Sequence, residues 1–308
     1  MSVAAGLAYG AIGTDTAGSI RFPSACNGLV GLKPTWGRVS RHGVFPLSDT
    51  FDHVGPMART VLDAALMFDA IAGADPLDPT ALDEPALNWA LAAREGDLKD
   101  VRIGVDPGYA LSGLDQATTQ SLKAAISILE TAGAEIVEVK LPDVRPILER
   151  AIAAALVEAA ISHAANYPSR KASYSKGYRQ LLDTGRATSA LDYAAIAIWR
   201  RQFHGHLMQI FQTVDVMLTP VVPIEPPSVS QFAATLDAPP LSAAPLLAYT
   251  IPFNLAGVPS LTLPMERSAS GTPLGIQLIG PDLDEAALLS AGAAYESASG
   301  FSREHPDI

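Results

Sequence analysis

The stretch "IGTDTAGSIRFP", residues 12–23, brings a carboxylate, a hydroxyl and a guanidinium close together as Asp15, Ser19 and Arg21. Gly13 and Gly18 have the spacing of a phosphate-binding loop. The position that should carry its lysine is Ser19, however, and Asp15 would repel a phosphate. A second chemistry fits better. A serine that follows Ala17 and Gly18 at a strand-to-helix turn exposes its hydroxyl and leaves nearby backbone N–H groups free to meet a developing oxyanion. Small neighbours let a substrate carbonyl come close to the backbone. A plain Asx turn built on Asp15 and Thr16 explains the same residues without catalysis. Spacing alone leaves the turn and the nucleophile both open.

Other catalytic patterns are absent. No G-x-S-x-G elbow occurs, which argues against an α/β-hydrolase. The histidines are His42, His53, His163, His204, His206 and His305. His204 and His206 stand two apart on an expected helix and so diverge. With no H-E-x-x-H or C-x-x-C, the sequence predicts no metal site, and the histidines read as surface or core residues. The carboxylates of "DPLDPTALDE" (75–84) lie between prolines and read as a solvated loop.

Bulk composition narrows the class. The chain has 308 residues, 48% of them hydrophobic and 17% charged, as in a globular enzyme. Its net charge of −11, with only 21 Lys and Arg, argues against nucleic acid as a partner. Cys26 is the single cysteine and has no internal disulfide partner, which fits a reducing cytoplasm. The most apolar helical stretch, 151–165, is too short for a bilayer and contains Glu158, so no membrane association is expected. The sequence does not set an oligomeric state.

These residues must be held by an α/β framework. A small-residue helix is expected to run into a buried strand near 9–13. A second strand follows at 28–35, then a helix at 59–73 whose Thr60 and Asp63 have capping-box spacing. Residues 74–100 read as a connection. The order strand 101–106, helix 116–133, strand 134–142 predicts parallel pairing with a crossover helix. Long helices are expected near 144–167 and 189–212, with a shorter one between. Strand-like pieces begin at 215, 259 and 273, and a helix at 284–298 closes the chain. Residues 221–245 read as a long Pro/Ser loop of the kind that borders a pocket. The sheet is expected to be mixed or largely parallel.

The block "GTDTAGSIRFPSACNGLVGLKPTWGRVSRHGVFP" resembles the second half of the amidase signature. The resemblance continues through "FDHVGPMARTVLDAALMFDAIAGADPLD" and returns at "PFNLAGVPSLTLPM" and "PLGIQLIG". Residues of about 95–245 match only in general layout. The resemblance implies a single α/β amidase domain over 1–308, a twisted mixed sheet flanked by helical layers. It implies hydrolysis of a small-molecule carboxylic amide through a serine acyl-enzyme, with a Ser–cis-Ser–Lys triad and no cofactor or metal.

By the same match, Ser19 is the acyl nucleophile. Thr16, Ala17, Gly18 and Ser19 itself supply oxyanion-hole N–H groups, and Asp15 and Arg21 support the loop. Ala17 departs from the family's usual glycine. The family's Gly/Ser-rich strip with the cis-serine, and the lysine farther upstream, would precede "MSVAAG". Lys33 lies on the other side of the nucleophile and is no substitute, and Ser2 lacks the glycine flanks. The resemblance therefore implies an N-terminally truncated domain, inactive or impaired alone. Two alternatives accompany it. One is the glutamine-hydrolysing component (the A polypeptide) of an aminoacyl-tRNA amidotransferase, which usually has a polar residue where this chain has Phe22. The other is a non-catalytic truncated homologue. The apolar 221–250 segment points to a hydrophobic acyl or leaving group.

Overall fold

Along the central strands, aliphatic residues alternate with small or polar ones, and this period-two pattern gives the sheet two different faces. The structure, a computed structural model, describes residues 1–85 and 87–301, without the side chains of 236 and 237. His305 lies outside the described residues. The strands are β1 (Gly10–Asp15), β2 (Val30–Lys33), β3 (His53–Ala58), β4 (Arg102–Val105), β5 (Glu135–Glu138), β6 (Val216–Pro220), β7 (Ser260–Met265) and β8 (Leu274–Ile279). They form one open sheet in the order β1-β3-β2-β7-β8-β6-β4-β5. Only β4 with β5 and β4 with β6 pair parallel; every other pair is antiparallel.

The helices are α1 (Arg21–Asn27), α2 (Val61–Ile71), α3 (Trp89–Arg94), α4 (Pro107–Ala110), α5 (Gln116–Thr131), α6 (Leu148–Ser162), α7 (Lys176–Ala187), α8 (Ala190–Ile210), α9 (Val229–Asp237), α10 (Ile251–Ala256) and α11 (Glu285–Ser299). On one face, Leu32, Val216, Leu261, Leu263, Ile276 and Leu278 form a continuous aliphatic core with Phe68, Trp89, Leu122 and Leu288 of the helices above. On the other face the alternate positions are Gly31, Lys33, Thr219, Ser260, Thr262, Gly275 and Gln277, all on strands where every residue is buried. Toward β6 this face regains aliphatic character. There Met217 and Ile279 pack on Phe203, Leu207 and Phe253.

The small and polar stripe brings α1 close to the sheet. A Cβ at Gly31 would lie 2.3 Å from Ser24 Oγ and 2.9 Å from Ser24 Cβ. Glycine there sets the depth of α1, and so the position of the loop that precedes it. The helix at 59–73 appears as α2, with Thr60 Oγ1 accepting the Asp63 N–H at 3.0 Å.

The structure corrects several expectations. Residues 1–9 form turns rather than a helix. β1 is an edge strand, and the expected buried start is open: Tyr9 is 91% exposed and Ile12 50%. β3 had no strand signature because its sequence, HVGPMA, contains both Gly and Pro; pairing on both sides overrides that local preference. The 74–100 connection contains α3, and the expected Pro/Ser loop contains α9 and a 3-10 segment over 240–247. The 75–84 loop is not fully solvated. Asp78 is buried and accepts the backbone N–H groups of Arg41 and Thr80. No helix among the described residues is long and apolar enough to cross a membrane.

Gly31→Ala is expected to push α1 off the sheet and to lower stability by about 1–3 kcal/mol, the usual range for overpacking. Urea unfolding followed by circular dichroism measures the shift; an unchanged midpoint would contradict this packing.

Candidate active site

β1 delivers Asp15 to the buried face of the sheet, and the chain then turns through Thr16, Ala17, Gly18 and Ser19 into α1. Asp15 fixes this turn from within. Its carboxylate accepts the N–H of Gly18 at 2.7 Å, of Ile20 at 3.2 Å and of Arg21 at 3.4 Å. Arg21 closes the loop with Nε at 3.0 Å and Nη2 at 3.1 Å from the same carboxylate. Gly18 has φ +132, and a Cβ there would fall 2.6 Å from Thr250 Oγ1, so both backbone and space demand glycine. Thr250 Oγ1 in turn donates to the Ala17 carbonyl, and the Thr16 hydroxyl donates to Asp52 Oδ1. Asp52 also accepts the N–H groups of Leu47 and Ser48.

Arg21 is fully buried and its remaining donors are satisfied far along the chain. Nη1 donates to Gln277 Oε1 at 3.0 Å, and Nη2 to the Thr250 carbonyl at 3.1 Å and to Asn254 Oδ1. Asn254 Nδ2 returns to the Asp15 carboxylate at 2.8 Å and its carbonyl at 2.9 Å. Gln277 Nε2 donates to the Tyr249 carbonyl at 2.6 Å and Thr219 Oγ1 at 3.0 Å. Burial alone would raise the Asp15 carboxyl. The adjacent Arg21 guanidinium outweighs that effect and, with Asn254, holds the group well below the usual carboxylate range.

Two further titratable groups lie under the loop. His53 Nδ1 faces the carbonyls of Phe51 at 2.7 Å and Asp15 at 3.2 Å, so it carries the ring proton. His53 Nε2 is buried with no partner among the described residues, and burial pushes the imidazole well below its ordinary value. Lys33 Nζ donates to the carbonyls of Val258 at 2.6 Å and Pro34 at 3.2 Å. Burial, reinforced by the Arg21 charge, lowers its amine well below the ordinary range.

Ser19 is exposed, and no hydrogen bond among the described residues reaches its Oγ. The N–H groups of Thr16, Ala17 and Ser19 likewise have no acceptor among the described residues, whereas that of Gly18 is engaged by Asp15. Ser19 opens on a cavity of about 410 Å³, whose walls include Phe22, Leu181, Phe232, Leu246 and Leu247. The residues singled out in the sequence thus come together: Asp15 and Arg21 below the loop, Thr16, Ala17 and Gly18 along it, and Ser19 at the cavity. The Ala17 methyl packs on the apolar cluster that contains Phe51, Ile251 and Leu255. Sequence reasoning missed Asp52, His53, Thr250, Asn254 and Gln277. Their signal was a polar residue inside an apolar run, as in "FDHVG", "PFNLAG" and "GIQLIG". Among the described residues, no group of three or more His, Cys, Asp or Glu could hold a metal ion.

Comparison with known proteins gives the family and the fold. The profile of the family described as Amidase matches residues 1–289. AmiD of Mycobacterium tuberculosis, provisionally named an amidase, is 39% identical over 308 residues, which is 100% of this chain and 64% of that protein. The A component of the glutamyl-tRNA(Gln) amidotransferase of Gluconobacter oxydans is 35% identical over 327 residues, covering 97% of this chain and 64% of that polypeptide. The chain therefore spans about two thirds of the length of these relatives. Among solved structures, 6-aminohexanoate cyclic dimer hydrolase superimposes with a TM-score of 0.87 at 25% identity, covering 99% of this chain and 68% of the hydrolase.

Arg21→Met would leave the Asp15 carboxylate buried without its counter-ion and is expected to destabilise the fold by about 3–5 kcal/mol, read by urea unfolding at pH 7. The pH dependence has a definite sign. The unfolded chain protonates His53 near pH ~6.5 while the folded chain keeps it neutral, so stability falls as pH drops below that value. His53→Gln should flatten the stability profile between pH 7 and 5, by up to about 1.4 kcal/mol per pH unit. The Asp15 contribution is present above its unfolded value of ~3.9 and is lost only as pH falls below that, toward the depressed folded value. An unchanged slope in the His53 variant would contradict the neutral, unpartnered imidazole.

Proposed function

Because this chain belongs to the Amidase family, we propose that it carries the acyl-accepting site of an amide hydrolase, with Ser19 as the nucleophile. The observation that carries this reading is the state of Ser19: exposed at a cavity and, among the described residues, free of internal hydrogen bonds and flanked by backbone N–H groups without an acceptor. A serine held only for a turn would have its hydroxyl engaged by that turn. Here Asp15 forms the turn and leaves the hydroxyl unengaged.

In the proposed reaction, Ser19 Oγ bonds to the amide carbonyl carbon as its proton passes to a base, and the carbonyl electron pair moves onto oxygen. That oxyanion is met by backbone N–H groups of the 16–19 loop. Those of Thr16, Ala17 and Ser19 are unengaged, while Gly18 contributes mainly through loop shape. Collapse breaks the C–N bond, the amine leaves with a proton, and water then hydrolyses the ester.

No described side chain hydrogen-bonds Ser19 Oγ, and Lys33, the nearest amine in sequence, is bound to two backbone carbonyls. We therefore propose that the 308-residue chain alone hydrolyses amides slowly or not at all. Full activity would need a base contributed from elsewhere, the role that the family resemblance gives to a lysine acting through a cis-serine. The similarity to an amidotransferase component supports a second reading, glutamine hydrolysis for a partner enzyme. The apolar Phe22 side chain in the cavity wall favours the first.

An activated ester separates acylation from the need for a strong base. 4-Nitrophenyl hexanoate is expected to give a burst of nitrophenol of up to one equivalent per chain, followed by slow turnover. Ser19→Ala should abolish the burst, and 4-nitroacetanilide should be hydrolysed near background. Sustained amide turnover that survives Ser19→Ala would overturn the proposal.

A further inference from the structure

Among the described side chains, no Asp, Glu, Lys, Arg or His lines the cavity beside Ser19. Three separate parts of the chain build it. α1 supplies Phe22 and Pro23, α7 supplies Leu181, and the 229–247 region supplies Phe232, Leu246 and Leu247. The last of these was expected to be loop, but it is ordered by specific contacts. Ser228 and Gln231 form a reciprocal capping box at the start of α9, with bonds of 2.8 and 3.3 Å. That cap fixes the helix on which Phe232 stands. The Phe232 and Phe22 rings meet with centroids 6.3 Å apart and an interplanar angle of 35°. Phe22 is anchored from behind by Ala25, Val221 and Val222. The result is a pocket of about 410 Å³, within the roughly 300–1,000 Å³ typical of small-molecule sites, with one aromatic wall and one aliphatic wall.

We infer that this pocket receives the acyl side chain of the substrate and selects uncharged, hydrophobic groups, aryl or medium-chain alkyl, with Phe22 and Phe232 as the specificity-determining pair. Apolar side chains bury their surface against these rings. Glutamine carries an α-ammonium and an α-carboxylate, and each would be desolvated there without a counter-charge. Among the described lining residues Thr235 adds a hydroxyl to that of Ser19, and neither supplies a counter-charge. This inference rests on the reading of Ser19 as acyl acceptor.

Ligand-detected NMR with the full 308-residue chain tests it without requiring turnover. The probes are butanamide, hexanamide, 4-phenylbutanamide and L-glutamine. Affinity should rise in the order butanamide, hexanamide, 4-phenylbutanamide, with L-glutamine at least about tenfold weaker than the last. Phe232→Asp, at a partly exposed helix position, should weaken 4-phenylbutanamide at least about tenfold. Thr235→Lys, also on α9, should do the same, with circular dichroism checking that both variants fold. Glutamine binding as tightly as 4-phenylbutanamide, or no loss in either variant, would overturn the inference. The two proposals fail separately. Selective binding with no Ser19 acylation would sink the nucleophile and leave the pocket, whereas acylation of Ser19 without apolar preference would sink the pocket alone.

Discussion

The ion pair between Asp15 and Arg21 is the constraint on which the site depends. Both side chains are sealed from water, and desolvation makes such a pair costly unless its geometry and its other hydrogen bonds are nearly complete. Here they are. Every polar atom of the Asp15 carboxylate and of the Arg21 guanidinium finds a partner, drawn from the loop, α10 and β8. The pair thereby ties one short loop to segments more than two hundred residues away in the chain. One loop conformation satisfies all these bonds together, and in that conformation Ser19 faces outward.

The sheet makes such a network possible through its unequal faces. An aliphatic face on both sides would have held α1 at ordinary packing distance and left no polar atoms to receive Arg21. The stripe of glycine, serine, threonine, lysine and glutamine lets α1 approach the backbone closely, and through Gln277 Oε1 it supplies one of the acceptors that the buried guanidinium requires. The same stripe explains the two groups whose titration is most altered. Lys33 and His53 sit on this face because the loop needs polar surroundings. Their burial beside Arg21 then disfavours further positive charge.

Much of this was legible in the sequence, for reasons that can be named. Helices with regular apolar spacing and clear caps, such as α2 and α5, and strands flanked by turn residues, such as β4, declare themselves locally. β3 and β1 did not. Glycine and proline mask β3, and β1 has an exposed edge that local composition does not reveal. Asp15 and Arg21 were visible as a neighbouring charged pair, but Asn254 and Gln277 were not, because their role exists only after the chain has folded back. The open choice between an Asx-type turn and a nucleophile at Ser19 was partly a false one. Asp15 forms the turn, and by forming it leaves the Ser19 hydroxyl unengaged. Phe22, marked in the sequence only as a departure from one relative's pattern, acquires a physical role once α9 places Phe232 against it.

The most direct test of the account is to locate the bond that a serine-directed electrophile makes. The folded chain would be treated with an alkyl fluorophosphonate, digested and sequenced by tandem mass spectrometry. The adduct is expected on the Ser19 hydroxyl, with none in Ser19→Ala. An adduct on a different side chain, with Ser19 unmodified in folded protein, would contradict it.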